Sequence, residues 1–220
     1  MRKVKIFEFL HDLKHNNSKE WMDKNRKRYQ EAKEIWLDEI QQILNRLENQ
    51  IPAFQSVNPK DTIMRINNNR RFNPSLPIYR TYFTFGVSDQ KVGPYYHLSI
   101  SPDESIIGGG LYRPDSDTLK KVREAIDYDA GPLLKTVSTD HFQSFYKGMS
   151  KDEQMLKSSP KGYPKDHPQI GLLRRKNLTA IRSLSQKEII ADTFVDLVEE
   201  AFTLIQPLND YFTQAIRFEP

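Results

Sequence analysis

The chain has 220 residues, 37% of them hydrophobic and 11% aromatic, which suits one well-cored domain and reads as globular rather than disordered. With 28% charged residues and a mean hydropathy of -0.69, its apolar runs are too short for a membrane span, and early charges in "MRKVKIFEFLHDLKHNN" interrupt any signal-peptide apolar region. A net charge of +4, from 33 basic and 29 acidic residues, is too near balance to predict a nucleic-acid binder, and the absence of cysteine excludes disulfides, thiolate nucleophiles and cysteine zinc sites.

In chain order, Val4 to Leu13 reads as an amphipathic helix through Ile6, Phe7, Leu10 and Leu13. In "NNSKEW", Asn17 stands three residues before Glu20, the spacing of a reciprocal cap, and predicts a long helix. Its apolar positions, from Trp21 and Tyr29 through Trp36, Ile40 and Leu44 to Leu47, form one stripe, and Pro52 closes it. From Asp61 to Tyr112 the period shifts toward two. Here "DTIMRI", "YRTYFTFGV", "PYYHLSIS" and "ESIIGG", separated by turn residues, predict an antiparallel meander. Helical spacing returns at Leu119, Val122 and Ile126, with short helices around Leu133 and Phe142, while "LKSSPKGYPKDHPQIG" reads as a loop. Ser185 and Glu188 repeat the capping spacing and open a last helix that Pro207 must kink or restart. On that helix Glu188, Asp192, Asp196 and Glu200 would form an acidic, solvated stripe. The expected fold is α+β: one domain over residues 1–220, with a mid-chain antiparallel sheet flanked by N-terminal and C-terminal helices.

No acidic residue occurs between Asp61 and Asp89, a span that carries Arg65, Arg70, Arg71 and Arg80. Alternation along the strands would put Arg65, Arg80, Tyr82, Tyr95 and His97 on one sheet face, with Arg70 and Arg71 at its rim. Such a face suits an anionic small molecule, since guanidinium groups grip carboxylate or phosphate in a planar fork and phenols add directed donors. Arg65 and Arg80 would hold the anion, Tyr82 and Tyr95 would orient it, and His97 is the one candidate for acid or base work. The alternative partner is a nucleic acid or another protein on the same basic surface, with Tyr82, Tyr95 and Tyr163 available for stacking and "GLLRRKNLTAIRS" either extending the patch or flanking a buried strand. A third reading makes the arginines structural, paired with acids of the surrounding helices.

Other motifs carry less chemistry. His11 and His15 have i, i+4 spacing but lack the glutamate of a zinc protease motif, so no metal is expected. "IIGGGLYRP" lacks the Lys-Ser/Thr of a nucleotide-phosphate loop and reads as a bulge or turn, and Asp103 and Glu104 read as turn residues. No cofactor motif is present, and the expected home of the chain is cytoplasmic.

The ordered motifs "FEFLHDLKHNNSKEWMDKNRKRYQEAK", "MRI" followed by "RRF" and "YRTYF", "GPYYHLSISPDESIIGGGLYRPDSDTLKKVREAI", "LKSSPKGYPKDHP", "LLRRKN" and "PLNDYF" span nearly the whole chain. Together they resemble a widespread, mainly bacterial family catalogued as domain of unknown function 2461. The resemblance implies a single-domain α+β protein, and it implies no reaction, because the family has no agreed activity. Positions matching its polar motif include Arg65, Arg71, Phe72, Tyr79, Arg80 and His97, and Arg113 lies in a matching block. Where relatives commonly read Arg-Asp, this chain has Asn68 and Asn69, and Leu76 replaces a lysine. The expected ligand-binding set is Arg65, Arg71, Tyr79, Arg80, Tyr82, Tyr95, His97 and Arg113.

Overall fold

Helix α1 (Val4–His15) buries Ile6, Phe7, Leu10 and Leu13, as their spacing requires, and adds Phe9. The long helix expected after it is two helices, α2 (Lys19–Lys24) and α3 (Arg26–Leu47), in a computed structural model that describes residues 2–88 and 93–217. The break falls at Asn25, whose side-chain amide donates to the carbonyl of Trp21 at 2.9 Å and so competes with the helical ladder. Ser18, rather than Asn17, caps α2, its hydroxyl accepting the Trp21 N–H. Asn17 has another task. Its amide donates to the Tyr79 carbonyl at 2.9 Å and its oxygen accepts the Tyr79 N–H at 2.8 Å, completing the backbone pairing of a residue that no strand supports. Asn17→Ala is therefore expected to cost about 1–3 kcal/mol, read from urea denaturation, because both Tyr79 backbone groups lose their partner. A loss under about 0.5 kcal/mol would mean that water replaces the side chain freely. Helix α3 ends at Leu47, before Pro52, which opens a 3-10 turn, Pro52–Phe54.

The sheet has four antiparallel strands in the order β1 (Phe83–Val87), β2 (Tyr95–Ile100), β3 (Ser105–Leu111) and β4 (Leu178–Leu184). Two strand expectations need correction. "DTIMRI" begins in a 3-10 turn, Pro59–Asp61, and continues without a strand, while "YRTYFTFGV" is a strand only from Phe83. Between Ile66 and Arg80 the chain pairs through a single bridge, Asn67 with Tyr79, flanked by Asn68 N–H to Ile78 O and Arg80 N–H to Ile66 O. The intervening Pro74 and Pro77 have no N–H to extend that ladder. The fourth strand comes instead from "LTAIRSL", after a long helical excursion.

That excursion runs through α4 (Ser116–Tyr128), α5 (Gly131–Ser138), α6 (Asp140–Tyr146) and the short α7 (Ile170–Leu173). After β4 comes α8 (Gln186–Ile190), opened by the expected capping box of Ser185 and Glu188. The chain breaks at Ala191, and α9 (Phe194–Arg217) then runs through Pro207 without restarting. Phe202, Ile205, Leu208 and Phe212 are completely buried around that proline, so packing outweighs the roughly 3 kcal/mol a mid-helix proline costs. The break also dissolves the acidic stripe: Glu188 folds back into its cap, Asp196 pairs with Arg46, and Glu200 pairs with His141.

The chain divides into two compact units, neither continuous in sequence. The first comprises residues 1–87, 97–107 and 183–199, with a core that includes Leu10, Trp36, Phe54, Phe85, Leu98 and Ile100. Trp36 sits in it with its indole N–H donating to the Thr84 carbonyl at 3.0 Å. The second comprises residues 88–96, 108–182 and 200–220, with a core that includes Val122, Leu133, Phe142, Leu173, Phe202 and Phe212. Within it, Gly108 and Gly110 press against β4, leaving room for no side chain: a Cβ would lie 2.1 Å from the Ala180 carbonyl oxygen and 2.2 Å from that of Leu178, respectively. The triple glycine is thus a close strand approach. Among the described residues, no helix is long and apolar enough to cross a membrane.

Candidate functional site

Arg80 organises the arginine-rich segment of the first unit. Its Nη1 donates to the carbonyls of Arg65 at 2.7 Å and Asn67 at 2.8 Å, and its Nε donates to the Tyr82 hydroxyl at 3.2 Å. Two donors remain uncommitted among the described residues: the Arg80 Nη2 group and the proton of the Tyr82 hydroxyl, whose oxygen accepts from Nε. Nε and Nη2 share one edge of a guanidinium, the edge that grips both oxygens of a carboxylate. Tyr82 Oη occupies one of those two oxygen positions. An oxygen placed in the other would accept from Nη2 and lie beside the Tyr82 hydroxyl.

The other expected residues divide sharply. Arg65 is exposed, and its guanidinium has no hydrogen bond or ion pair among the described residues, although its own carbonyl helps to fix Arg80. Arg70 is turned onto the Pro74 carbonyl through Nε and Nη2, so it locks the loop. Arg71 lies 5.2 Å from the ring of Phe72, which is 85% exposed. Tyr79 is buried, held by Asn17. None of these four arginines pairs with a carboxylate among the described residues, where the third reading had put helix acids; Arg80 and Arg70 are held by carbonyl oxygens instead.

His97 stands on β2 on the side of Tyr95 and Ser99, opposite the buried Tyr96, Leu98 and Ile100, in the parity the sequence implied. Its ring has no hydrogen-bond partner among the described residues, and burial holds its pKa below the usual histidine value. It is therefore neutral near pH 7 and adds no cation to the face. Tyr95 and Arg113 belong to the second unit. Arg113 is exposed over the ring of Tyr112 at 5.1 Å. On α1, His15 Nδ1–H donates to the His11 carbonyl, and among the described residues no group of three His, Asp or Glu side chains could hold a metal ion.

Sequence reading missed the residue that organises the second unit. Asp152 is buried and accepts from the backbone N–H of Lys176, Asn177 and Gln154 and from the Asn177 amide, at 2.6 to 3.1 Å. Burial works to raise its pKa, but those hydrogen bonds prevail and hold it at about 2. Asn177 Oδ1 in turn accepts the N–H of Arg113 at 2.8 Å. An aspartate between a lysine and a glutamate in "SKDEQ" carries no signal of this; the only clue was that a long loop needs an internal anchor.

No curated protein and no solved structure matches the chain. A family profile does match, over residues 5–211, and with that span the chain belongs to the family described as conserved hypothetical protein (DUF2461).

Proposed function

We propose that this protein binds a small anionic molecule through the Arg65–Tyr82 segment, with the Arg80 and Tyr82 pair as the gripping group. The observation that carries this reading is the half-used fork. Three hydrogen bonds fix the Arg80 guanidinium before any ligand arrives, yet the Nη2 edge and the Tyr82 O–H have no acceptor among the described residues. A preorganised donor pair loses little side-chain entropy on binding, which favours a carboxylate or phosphate oxygen over water. Arg65, exposed and without an acid partner among the described residues, supplies further positive charge on the same segment. Neutral, half-buried His97 serves as a wall or weak donor in this reading, and no reaction is assigned.

The test is a thermal-shift titration with inorganic phosphate, citrate and nucleoside monophosphates, in the wild type and two variants. Tyr82→Phe removes one donor and the acceptor of Arg80 Nε but leaves the two carbonyl bonds that anchor Arg80, and is expected to weaken the best anion by about five- to tenfold with little change in the unliganded melting temperature. Arg65→Ala should weaken binding more at low salt than at high salt. Equal affinities in wild type and Tyr82→Phe would remove the fork from the site. One observation favours the second reading, an interaction module on the same segment: Phe72, 85% exposed beneath Arg71, is a ready stacking platform. Shifts seen only with oligonucleotides, and lost in Phe72→Ala, would select it.

A further inference from the structure

In the second unit, the 23 residues from Lys147 to Gln169 contain neither helix nor strand. An ordered segment of that length without its own regular structure is uncommon in a compact protein and is usually functional. Its order comes from inside. Besides Asp152, Arg174 donates through Nε to the Leu156 carbonyl at 2.6 Å, Arg175 donates to the carbonyls of Ser150 and Asn177, and Arg123 donates to those of Leu173 and Arg175. His167 ties the same segment to α4 through Asp127 at 2.8 Å. Arg174 and Arg175, for which the sequence left open a positive surface or the flank of a buried strand, are therefore turned inward onto carbonyls.

What faces water is lysine. Between Lys147 and Lys176 there are eight basic and three acidic residues. Of the acids, Asp152 is buried in its hydrogen bonds and Glu153 is paired with Lys151, which leaves Asp166 alone to oppose the rest. Lys157, Lys161, Lys165 and Lys176 are exposed and have no carboxylate partner among the described residues. The Asp152 and Asn177 relay adds Arg113 to them: it holds Arg113 in the left-handed region at φ 50°, a conformation that costs a side-chain-bearing residue energy. The strained backbone delivers a guanidinium, free of any acid among the described residues, over Tyr112, a ring 57% exposed.

We infer that this lysine-bearing segment, with the Tyr112 and Arg113 pair, is a binding surface for single-stranded nucleic acid. Unpaired lysines at intervals of four residues or more along an ordered loop match a phosphate backbone that needs positive charge without fixed geometry, and an exposed tyrosine backed by arginine offers a face on which an unpaired base stacks. A duplex hides its base faces and has no use for that ring. This surface is separate from the Arg80 and Tyr82 fork, and the two stand or fall apart.

The experiment is fluorescence anisotropy with the full chain and a labelled oligonucleotide of about 20 nucleotides, measured between roughly 50 and 200 mM salt. Wild type is expected to bind at low salt and to lose affinity linearly on a log–log plot. The Lys157→Gln/Lys161→Gln/Lys165→Gln variant is expected to lose at least tenfold, with a slope shallower by about 0.7 for each phosphate contact removed. A charge-matched control, Lys19→Gln/Lys24→Gln/Lys27→Gln on the first unit, should bind like wild type. Tyr112→Ala is expected to lose about fivefold with the slope unchanged, and Tyr112→Phe to restore it. Absence of binding at low salt, equal losses in the two lysine variants, or tighter binding of a duplex of the same length would each overturn the inference.

Discussion

Asp152→Ala is expected to lower stability by about 3–5 kcal/mol, measured by urea denaturation, although the residue touches no ligand in either proposed site. The carboxylate accepts from three backbone N–H groups and one side-chain amide, so its loss leaves buried donors unmatched rather than merely deleting contacts. Asp152→Asn should fall between, since an amide keeps one acceptor oxygen and presents a donor where donors already crowd. The pH dependence follows from a pKa lowered from 3.8 to about 2. Between those values the unfolded chain holds the extra proton, so the stability that the carboxylate contributes is complete above about pH 4 and disappears as pH falls toward about 2. The gap corresponds to about 2 kcal/mol, and the alanine variant should show a correspondingly flatter acid limb. An unaltered acid limb would mean that other carboxylates dominate it.

Gly110→Ala is expected to be at least as severe. The added methyl would lie 2.2 Å from the Leu178 carbonyl oxygen and 2.9 Å from the Thr179 Cα, and the residue's φ of +108° is itself hostile to a side chain. Both obstacles are backbone, so β4 would have to move, at a combined cost of about 3–5 kcal/mol. Gly162→Ala is the internal control: its φ is +96° but nothing lies within 4 Å, so it carries the conformational penalty alone, about 1–2 kcal/mol. The two melting temperatures should differ by roughly 4–12 °C. Near-equal values would refute the close packing of β3 on β4.

Those two positions also show what a sequence can and cannot disclose. Helical stripes such as Ile6, Phe7, Leu10 and Leu13, the Ser185 and Glu188 capping box, and the alternation of Tyr96, Leu98 and Ile100 depend on neighbours a few residues apart, and each appears as read. The α+β class follows from them. The candidate site was half legible. Arg65, Arg80 and Tyr82 do meet, but through Arg80 reaching back onto carbonyls, not through strand parity, because the segment before Phe83 is no strand. Illegible were partners far apart in sequence: Asn17 with Tyr79, and Asp152 with Asn177 and then Arg113. A short polar side chain that completes a distant backbone looks, locally, like any surface asparagine or aspartate.

The interleaving of the two units has a consequence for how the chain is made. The first unit needs residues 183–199 as well as residues 1–87 and 97–107, so as synthesis proceeds from the N-terminus it stays incomplete until residue 199 has emerged. Its apolar side chains, Trp36, Phe54 and Phe85 among them, must wait through the synthesis of residues 88–96 and 108–182 of the other unit. Neither unit can be cut out as a continuous fragment, and a ribosome stalled within α4–α7 would present a nascent chain with its first core still open, a natural client for a chaperone.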